Sequence, residues 1–243
     1  MNHTSNYEFT IVVPIYNEED NIASLEKALG EFIPQSKAKA CVLFVNDGSK
    51  DSSLEKIKEI CNRNAHFYYI NFAQNAGLSA AIKAGIDHCE SKYVGYMDAD
   101  LQTTPMDFNL LLEEAPNHEL VTGIRVGRKD TWFKRYQSKI ANNFRRMMTG
   151  DTAQDTGCPL KVMHADVAKR LPFFKGMHRF FAALMLLENG RIKQIPVRHF
   201  PRVAGTSKFN LSNRLVGPFM DCFAYRWMKS RYIRYNVSDN NIF

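Results

Sequence analysis

The sequence predicts an α/β protein whose central sheet is mostly parallel and carries helices on both faces. Near-continuous runs of apolar, β-branched residues, typical of strands buried on both faces, alternate with segments whose apolar residues follow helical spacing. Polar residues follow each of the first four runs, at the edge where open α/β sheets bind ligands. The 243 residues, 45% hydrophobic and 23% charged, are enough for one large domain with a substantial core.

The first half of the chain supplies four predicted strands. They are Phe9 to Ile15, Cys41 to Val45, Phe67 to Phe72 and Tyr93 to Met97. Asn17 is the expected cap of the first helix, and Ser52 with Glu55 forms a capping box for the second. After the fourth strand, Thr104 and Pro105 offer an N-cap and a first-turn proline for a new helix. Repetition of strand and helix places the loops after these strands along one edge of the sheet.

The second half combines shorter elements with a strongly basic segment. The predicted elements are a helix from Pro105 to about Ala115, a strand from Leu120 to Ile124, a basic segment from Arg125 to Arg146, an extended piece from Leu160 to Met163, a core helix from Phe180 to Leu187, a strand from Arg191 to Phe200 and a helical tail from Leu211 to Tyr235. The basic segment interleaves cations with aromatic residues, a composition that suits nucleic acid, a membrane surface or an ordinary solvated face.

An acidic turn ends the fourth predicted strand. Alternation along an extended chain would place Asp98, Asp100 and Gln102 on one side, so that three oxygen-bearing side chains converge. Such a set suits a hard divalent cation that shares its remaining positions with substrate phosphates. A solvated turn that initiates a helix is the alternative reading of an isolated Asp-x-Asp.

The charge balance narrows the partners to anionic ones. The net charge is +7 and the pI is near 9.1, which admits nucleic acid, an anionic membrane or phosphorylated substrates. The stretch from Arg202 to Lys208 places two cations around Gly205 and Ser207, a composition able to wrap a phosphate.

The cysteines and the N-terminus indicate a cytoplasmic protein. The five cysteines are odd in number and contain no Cys-x-x-Cys pair, which favours reduced thiols. The segment from Met1 to Tyr7 is polar and has no apolar stretch of signal-peptide type. The run from Phe180 to Leu187 is too short to span a bilayer, so we expect a soluble or peripheral protein.

Taken together, these segments resemble family 2 glycosyltransferases with the GT-A fold, in particular the polyprenyl-phosphate branch that includes dolichol-phosphate mannose synthases. The segments that carry the resemblance are Val13 to Glu19, Val45 to Asp51, Asn75 to Leu78, Asp98 to Gln102, Asp155 to Gly157 and Arg202 to Lys208. The similarity runs from about Phe9 to Phe209 and implies a Rossmann-like three-layer sandwich.

The resemblance also implies roles for individual residues. The nucleotide would be held by Pro14, Tyr16, Glu18, Asp47 and Asp98; Mg²⁺ or Mn²⁺ by Asp98, Asp100 and Gln102; the acceptor phosphate by Arg125, Arg135 and Ser138; and the donor diphosphate by Arg202 and Lys208. Lys134 competes with Arg135 for its position. Asp100 and Asp155 are the expected catalytic residues, Asp155 as a base for a hydroxyl acceptor or as an orienting group for a phosphate acceptor.

The implied activity is metal-dependent, inverting transfer of a sugar from a GDP- or UDP-sugar to a polyprenyl phosphate, such as undecaprenyl or dolichyl phosphate. Transfer to a saccharide hydroxyl in cell-surface glycan synthesis is the first alternative. The second is a non-enzymatic nucleotide- or nucleic-acid-binding protein, which leaves the acidic turn unexplained. A Rossmann dehydrogenase is disfavoured because no Gly-x-Gly-x-x-Gly follows the first strand.

The tail is a departure from many members of this branch, which continue into transmembrane helices. We expect a glycosyltransferase domain at residues 1–210 and a basic-aromatic, membrane-peripheral tail at residues 211–243. Together with the basic segment, the tail would rest on the anionic inner face of the membrane, and nucleic acid is not an expected partner. The sugar, the nucleotide and the oligomeric state are left open.

Overall fold

A computed structural model describes residues 3–127, 132–201, 211–233 and 238, without the side chains of residues 3, 132–139 and 211–216. The strands are β1 (Phe9–Ile15), β2 (Ala40–Asn46), β3 (Phe67–Asn71), β4 (Tyr93–Tyr96), β5 (Leu120–Arg125), β6 (Lys161–His164) and β7 (Ile192–Val197). The helices are α1 (Ile22–Phe32), α2 (Ser53–Arg63), α3 (Leu78–Asp87), α4 (Phe108–Glu114), α5 (Trp132–Thr149), α6 (Ala165–Arg170), α7 (Phe181–Leu187) and α8 (Leu211–Arg231). Short 3₁₀ turns lie at His3–Asn6, Ile33–Gln35, Pro105–Asp107, Ala115–Asn117 and Met177–Arg179.

The described strands form one mixed sheet in the order β3-β2-β1-β4-β6-β5-β7. The pairs β1–β2, β1–β4, β2–β3 and β5–β7 are parallel, whereas β6 runs antiparallel to both β4 and β5. The prediction of a mostly parallel α/β sheet is confirmed. The direction of β6 was not predicted, because a four-residue strand is too short for its sequence to show how it pairs.

Strand β1 lies at the centre of the parallel half and sets the layers on both faces. Ile11 and Val13 belong to the core cluster that contains α1, α2 and α4 residues, whereas Val12 belongs to the cluster that contains residues of α3, α6 and α7. This alternation is the two-residue period of a strand buried on both sides. Gly85 lets α3 lie against β1, because a Cβ there would be 2.3 Å from the Cγ1 of Val12.

Pro14 sits in this central strand without breaking a ladder bond. The amide of Met97 donates to the carbonyl of Val12, so even-numbered residues of β1 face β4. Pairing with β4 ends at Val12 and Tyr96, and Pro14 therefore lies beyond the last partner that could use its missing N–H.

Two of the predicted helix caps are wrong, and one is confirmed. Asn17 has a left-handed φ of 51°, and α1 begins only at Ile22, after Asn21. Ser52 is the N-cap of α2 but makes no side-chain cap bond, because its hydroxyl donates to Glu19 across the neighbouring loop. Thr104 does cap the 3₁₀ turn at Pro105–Asp107, accepting from the amide of Met106 at 3.3 Å.

Helix α8 packs its inner face into the core. Cys222 and Tyr225 are buried, and the Tyr225 hydroxyl donates to the carbonyl of Ala183 at 2.8 Å. On the outer face Phe219 stacks on Phe144 of α5 at 4.9 Å between ring centroids. Large side chains also remain exposed there, including Phe223 and Trp227. Among the described helices, none combines the length and the apolar character needed to cross a bilayer.

Candidate active site

The candidate site lies at the carboxyl edge of β4 and β5. Asp98 and Asp100 follow β4, and Arg125 is the last residue of β5. Because β6 is antiparallel to both, its first residue reaches the same edge, and Lys161 pairs in register with Tyr96. The loop that precedes β6 brings Asp155 to this edge as well, so groups far apart in sequence meet at one place.

The acidic segment is a tight turn, and the extended geometry expected from alternation is wrong. Strand β4 ends at Tyr96, and Leu101 has a left-handed φ of 52°. The amide of Gln102 donates to Asp100 Oδ1 at 3.2 Å, which closes the turn. The carbonyl of Gln102 accepts from the amide of Phe200 and from His199 Nδ1, at 2.9 and 3.1 Å. Gln102 is thus held by its backbone, and its side chain as a metal ligand stays a prediction.

Asp98 is a carboxylate whose ionised form is costly. Its pKa is raised by burial and by the negative charge of Asp100, against the lowering effects of the Tyr96 hydroxyl and of Lys161. The Tyr96 hydroxyl donates to Asp98 Oδ1 at 2.5 Å. A carboxylate whose ionised form is opposed by burial and by a neighbouring carboxylate gains stability when a cation binds it.

This electrostatic setting fits a divalent cation held by two protein carboxylates. Among the described residues, no group of three or more His, Cys, Asp or Glu side chains is arranged to hold a metal ion. A metal bound by Asp98 and Asp100 would therefore take further oxygen ligands from a bound diphosphate, as Mg²⁺ commonly does.

Arg125 and Asp155, which were predicted to serve two separate roles, are bound to one another. The guanidinium makes two parallel bonds to the carboxylate, both 2.8 Å, and the amide of Arg125 adds a third at 3.2 Å. Burial alone would lower the pKa of Arg125, but the hydrogen bond and charge of Asp155 raise it overall. Gly157 makes room for this pair, since a Cβ there would lie 2.9 Å from Arg125 Nη2. The role of Arg125 as a ligand of the acceptor phosphate stays a prediction, and the structure adds that its guanidinium is bound to Asp155.

Of the predicted nucleotide residues, Tyr16, Glu18 and Asp47 lie in the loops after β1 and β2, which hydrogen bonds join to each other and to the loop before α3. Asn17 and Glu18 donate their amides to Ser49 Oγ and Ser53 Oγ, which joins the loops after β1 and β2. The carboxylate of Asp47 accepts from the Asn75 side chain and from the amides of Ala76 and Gly77, at 2.8, 2.6 and 2.9 Å. Asp47 therefore anchors the loop that begins α3. The nucleotide contacts of Pro14, Tyr16, Glu18 and Asp47 stay predictions.

A cavity of about 190 Å³ opens beside the acidic turn. Among its described lining residues, Asp98 is the one to which the sequence analysis assigned a role in the site. The other lining residues are Leu78, Tyr96, Thr156, Gly157, Cys158, Pro159, Lys161, His178 and Arg179. The lysine offered a signal in the sequence, since it is a charged residue inside an otherwise apolar strand. His178 and Arg179 lie just before an apolar helix, and no sequence pattern marked them as site residues.

Lys161 and His178 have unusual electrostatic environments. Lys161 is 3% exposed, and its ammonium donates to the carbonyl of Cys158. Burial lowers the pKa of Lys161, while the negative charges of Asp155 and Asp98 oppose that shift. Burial, with the charges of Arg179 and Lys161, lowers the pKa of His178 to about 3. His178 is therefore neutral at physiological pH, and its Nδ1 lies 3.0 Å from the Ser79 hydroxyl.

Four predicted phosphate ligands lie outside the described part of the chain. Arg202 and Lys208 belong to undescribed residues, and the side chains of Arg135 and Ser138 in α5 are not described. Their assignment to the acceptor phosphate and the donor diphosphate stays a prediction.

Open α/β sheets bind their ligands at the carboxyl ends of the strands, and at that edge this chain places Asp98, Asp100 and the buried Lys161. Residues 10–172 match the family described as glycosyl transferase family 2. The chain belongs to this family.

Two curated relatives share about a third of their aligned residues with this chain. Dodecaprenyl-phosphate galacturonate synthase of Rhizobium johnstonii is 31% identical over 211 residues, which is 84% of this chain and 62% of the relative. Undecaprenyl-phosphate 4-deoxy-4-formamido-L-arabinose transferase of Edwardsiella ictaluri is 31% identical over 204 residues, 83% of this chain and 63% of the relative. The chain thus spans slightly less than two thirds of the length of each relative.

Solved structures of glycosyltransferases share the fold. Glucosyl-3-phosphoglycerate synthase from Mycobacterium tuberculosis, in complex with Mn²⁺, UDP-Glc and phosphoglyceric acid, aligns with a TM-score of 0.65 at 13% identity, covering 99% of this chain and 85% of the other. A mannosyltransferase from Pyrobaculum calidifontis, in complex with GDP-Man and Mn²⁺, aligns with a TM-score of 0.66 at 15% identity, covering 94% and 65%. At this identity the likeness establishes the GT-A fold and nothing finer.

Proposed function

We propose that this protein transfers a sugar from a nucleotide-diphosphate sugar to a polyprenyl phosphate. The observation that carries the proposal is the cavity in which Asp98 faces the cations Lys161 and Arg179. Carboxylates for a metal and cations for a leaving diphosphate are the two groups that this reaction needs. Family membership and the names of the two curated relatives, both transferases or synthases of polyprenyl-phosphate sugars, support the acceptor class.

Asp98 and Asp100 would hold the metal, with Gln102 as a further predicted ligand. A bound Mg²⁺ or Mn²⁺ would supply Lewis-acid neutralisation of the diphosphate. Two solved structures of the same fold contain Mn²⁺ with UDP-Glc or GDP-Man, which supports a divalent cation and either nucleotide.

The protein's own residues would stabilise the charge on the leaving diphosphate and orient the reacting groups. Lys161 stabilises the negative charge that develops on the diphosphate as the sugar bond breaks, which favours the transition state over the ground state. Neutral His178 can orient an oxygen through a hydrogen bond but holds no proton to donate as a charged acid. A phosphate acceptor arrives ionised and needs no strong base, so Asp155 serves to hold Arg125 in place.

The exposed face of α5 and α8 would bring the enzyme to its lipid substrate. It combines exposed Met147, Phe223 and Trp227 with the cations Arg226 and Lys229. Aromatic side chains and cations on one helical face suit the interface of an anionic bilayer. This supports a catalytic unit at residues 1–210, a membrane-peripheral tail at 211–243 and a position at the inner face of the membrane.

The experiment is a product assay preceded by a thermal-shift screen. UDP- and GDP-sugars, with and without Mn²⁺, are ranked by the rise in Tm, because a ligand that binds only the native state stabilises it. The best donor is then offered undecaprenyl phosphate, farnesyl phosphate or a panel of free sugars. We expect a lipid-linked product with inverted anomeric configuration. Transfer to free sugars alone would overturn the proposed acceptor, and a retained configuration would overturn direct displacement.

A further inference from the structure

A second, larger groove adjoins the acidic cavity. Its volume is about 800 Å³, within the range of ligand-binding sites. It lies between the start of α3, the segment Phe173–Arg179 and helix α8. The residues that line it are Ala76, Gly77, Leu78, Ser79, Ala80, Lys83, Phe173, Phe174, Lys175, Gly176, His178, Arg179, Gly217 and Asp221.

The groove and the acidic cavity share part of their walls. Leu78, His178 and Arg179 line both spaces. A ligand could therefore place one end beside Asp98 and extend along the groove, and Arg179 stands where the two spaces meet.

The groove combines an apolar wall with cationic side chains. Its apolar surface comes from Leu78, Phe173 and Phe174, and both phenylalanine rings are backed by the core, Phe173 against Phe181 and Phe174 against Phe180. Cations stand at the rim and at the junction, and Asp221 interacts electrostatically with Arg179 there. An apolar chain with an anionic head fits this arrangement better than a sugar, whose hydroxyls would meet an apolar wall.

The groove also reaches helix α8, which carries part of the proposed membrane face. Gly217 and Asp221, one turn apart on α8, line the groove, and Met220, next to Asp221 in the chain, is exposed. A lipid that leaves the bilayer along this side of α8 would enter the groove.

We propose that this groove receives the first isoprenoid units of the acceptor lipid, with its phosphate beside Arg179 and the chain running along Phe173 and Phe174 toward α8. The inference rests on the proposed function and assigns the lipid a site apart from Arg125, whose charge is taken by Asp155.

The test fills the groove and follows the acceptor separately from the donor. Ala80→Phe places a large side chain in the groove from α3. Ala23→Phe is the matched control, since Ala23 is an exposed position of α1 away from both cavities. We expect Ala80→Phe to raise the KM for farnesyl phosphate about tenfold or more. Donor binding, measured by thermal shift with nucleotide sugar and Mn²⁺, should stay within about twofold, and Ala23→Phe should match the wild type.

A second variant guards against a folding defect in the first. Lys175 is exposed and lines the groove, so Lys175→Glu adds a negative charge without disturbing the core. It should raise the KM for farnesyl phosphate, and less so at high salt. If the wild type makes product and both variants keep its KM, the groove assignment is overturned alone. If the wild type transfers sugar to no polyprenyl phosphate, the proposed function fails and the groove assignment fails with it.

Discussion

Two carboxylates at the same sheet edge, Asp155 and Asp98, have different electrostatic environments. Asp155 is held by the guanidinium of Arg125 through two bonds of 2.8 Å, so its charge is balanced within the protein. Asp98 has a tyrosine hydroxyl as its hydrogen-bond partner and Asp100 as an unfavourable neighbour. The comparison shows that one carboxylate can be a structural anchor while a similar one at the same edge keeps an ionised form opposed by burial and a like charge, which is the setting we propose for a bound cation.

The largest effect should follow from removing a carboxylate of the acidic turn. Asp100→Asn should lower kcat/KM by about 10²–10³, because charge on the leaving diphosphate loses stabilisation that acts in the transition state. The Tm rise that Mn²⁺ gives in the presence of nucleotide sugar should disappear as well. Asp87→Asn is the control, since Asp87 is exposed and pairs with Lys83 on the far turns of α3. An Asp100→Asn enzyme with full Mn²⁺ response would contradict the metal assignment.

Breaking the Arg125–Asp155 pair should mainly cost stability. Asp155→Ala leaves the largely buried guanidinium without its partner, and we expect a loss of about 3 kcal/mol in the free energy of unfolding. Urea denaturation measures it. Asp166→Ala serves as the matched control, because its pair with Arg170 is exposed and should contribute less than about 1 kcal/mol. Equal losses in the two variants would mean that the Arg125–Asp155 pair is no anchor.

Replacing the buried cation beside Asp98 should separate its binding role from its structural role. Lys161→Met keeps a similar side-chain volume but removes the cation that offsets Asp98 and Asp155 and the donor to the Cys158 carbonyl, so Tm should fall. The Kd for nucleotide sugar should rise about tenfold, because the diphosphate loses one cation. Calorimetric titration with and without Mn²⁺ measures this. An unchanged Kd would show that Lys161 only supports the loop through the Cys158 carbonyl.

The smallest predicted effect is on the thermal stability of the ligand-free protein. Asp155→Ala should destabilise the protein, whereas Asp98→Asn should stabilise it slightly. The raised pKa of Asp98 means that the folded state binds this proton more tightly than the unfolded state, so its stabilising contribution is present at low pH and lost as pH rises through the folded-state pKa. Asp98→Asn removes the loss of stability that accompanies ionisation of Asp98. The Tm of the ligand-free variant should therefore lie slightly above that of the wild type at pH 7, and this difference in Tm should shrink toward pH 4. Thermal melts across this range decide it, and a lower Tm at pH 7 would contradict a costly Asp98 charge.

Much of the fold could be predicted from local patterns in the sequence. Strand β1 has the predicted bounds, and strands β2 to β6 differ from theirs by at most one residue at each end. Strand β7 ends at Val197, three residues before the predicted Phe200. Two-face burial leaves an unbroken apolar run in the sequence, which is a strong signal. The caps at Asn17 and Ser52 were predicted less well, since loops from neighbouring strands compete for the same polar side chains.

The residues of the candidate site could be predicted from the sequence only in part. Asp98 and Asp100 stand out because carboxylates directly follow a buried strand. Lys161, His178 and Arg179 were missed because they come from segments far along the chain, and periodicity carries no information about which distant segments meet. The Arg125–Asp155 bond has the same origin, since its partners lie 30 positions apart in the chain, on either side of helix α5.

By itself the sequence determined the α/β class, the edge of the sheet where ligands bind and the acidic turn, because strand burial and turn chemistry are local and leave periodic marks. Only the tertiary structure decided which charges are balanced. The direction of β6 brings Lys161 and Asp155 to the carboxyl end of β4. Arg125 binds Asp155 through two hydrogen bonds, whereas the ionised form of Asp98 is opposed by burial and by the charge of Asp100. Charge balance depends on distances between remote residues, and those distances exist only once the sheet has formed.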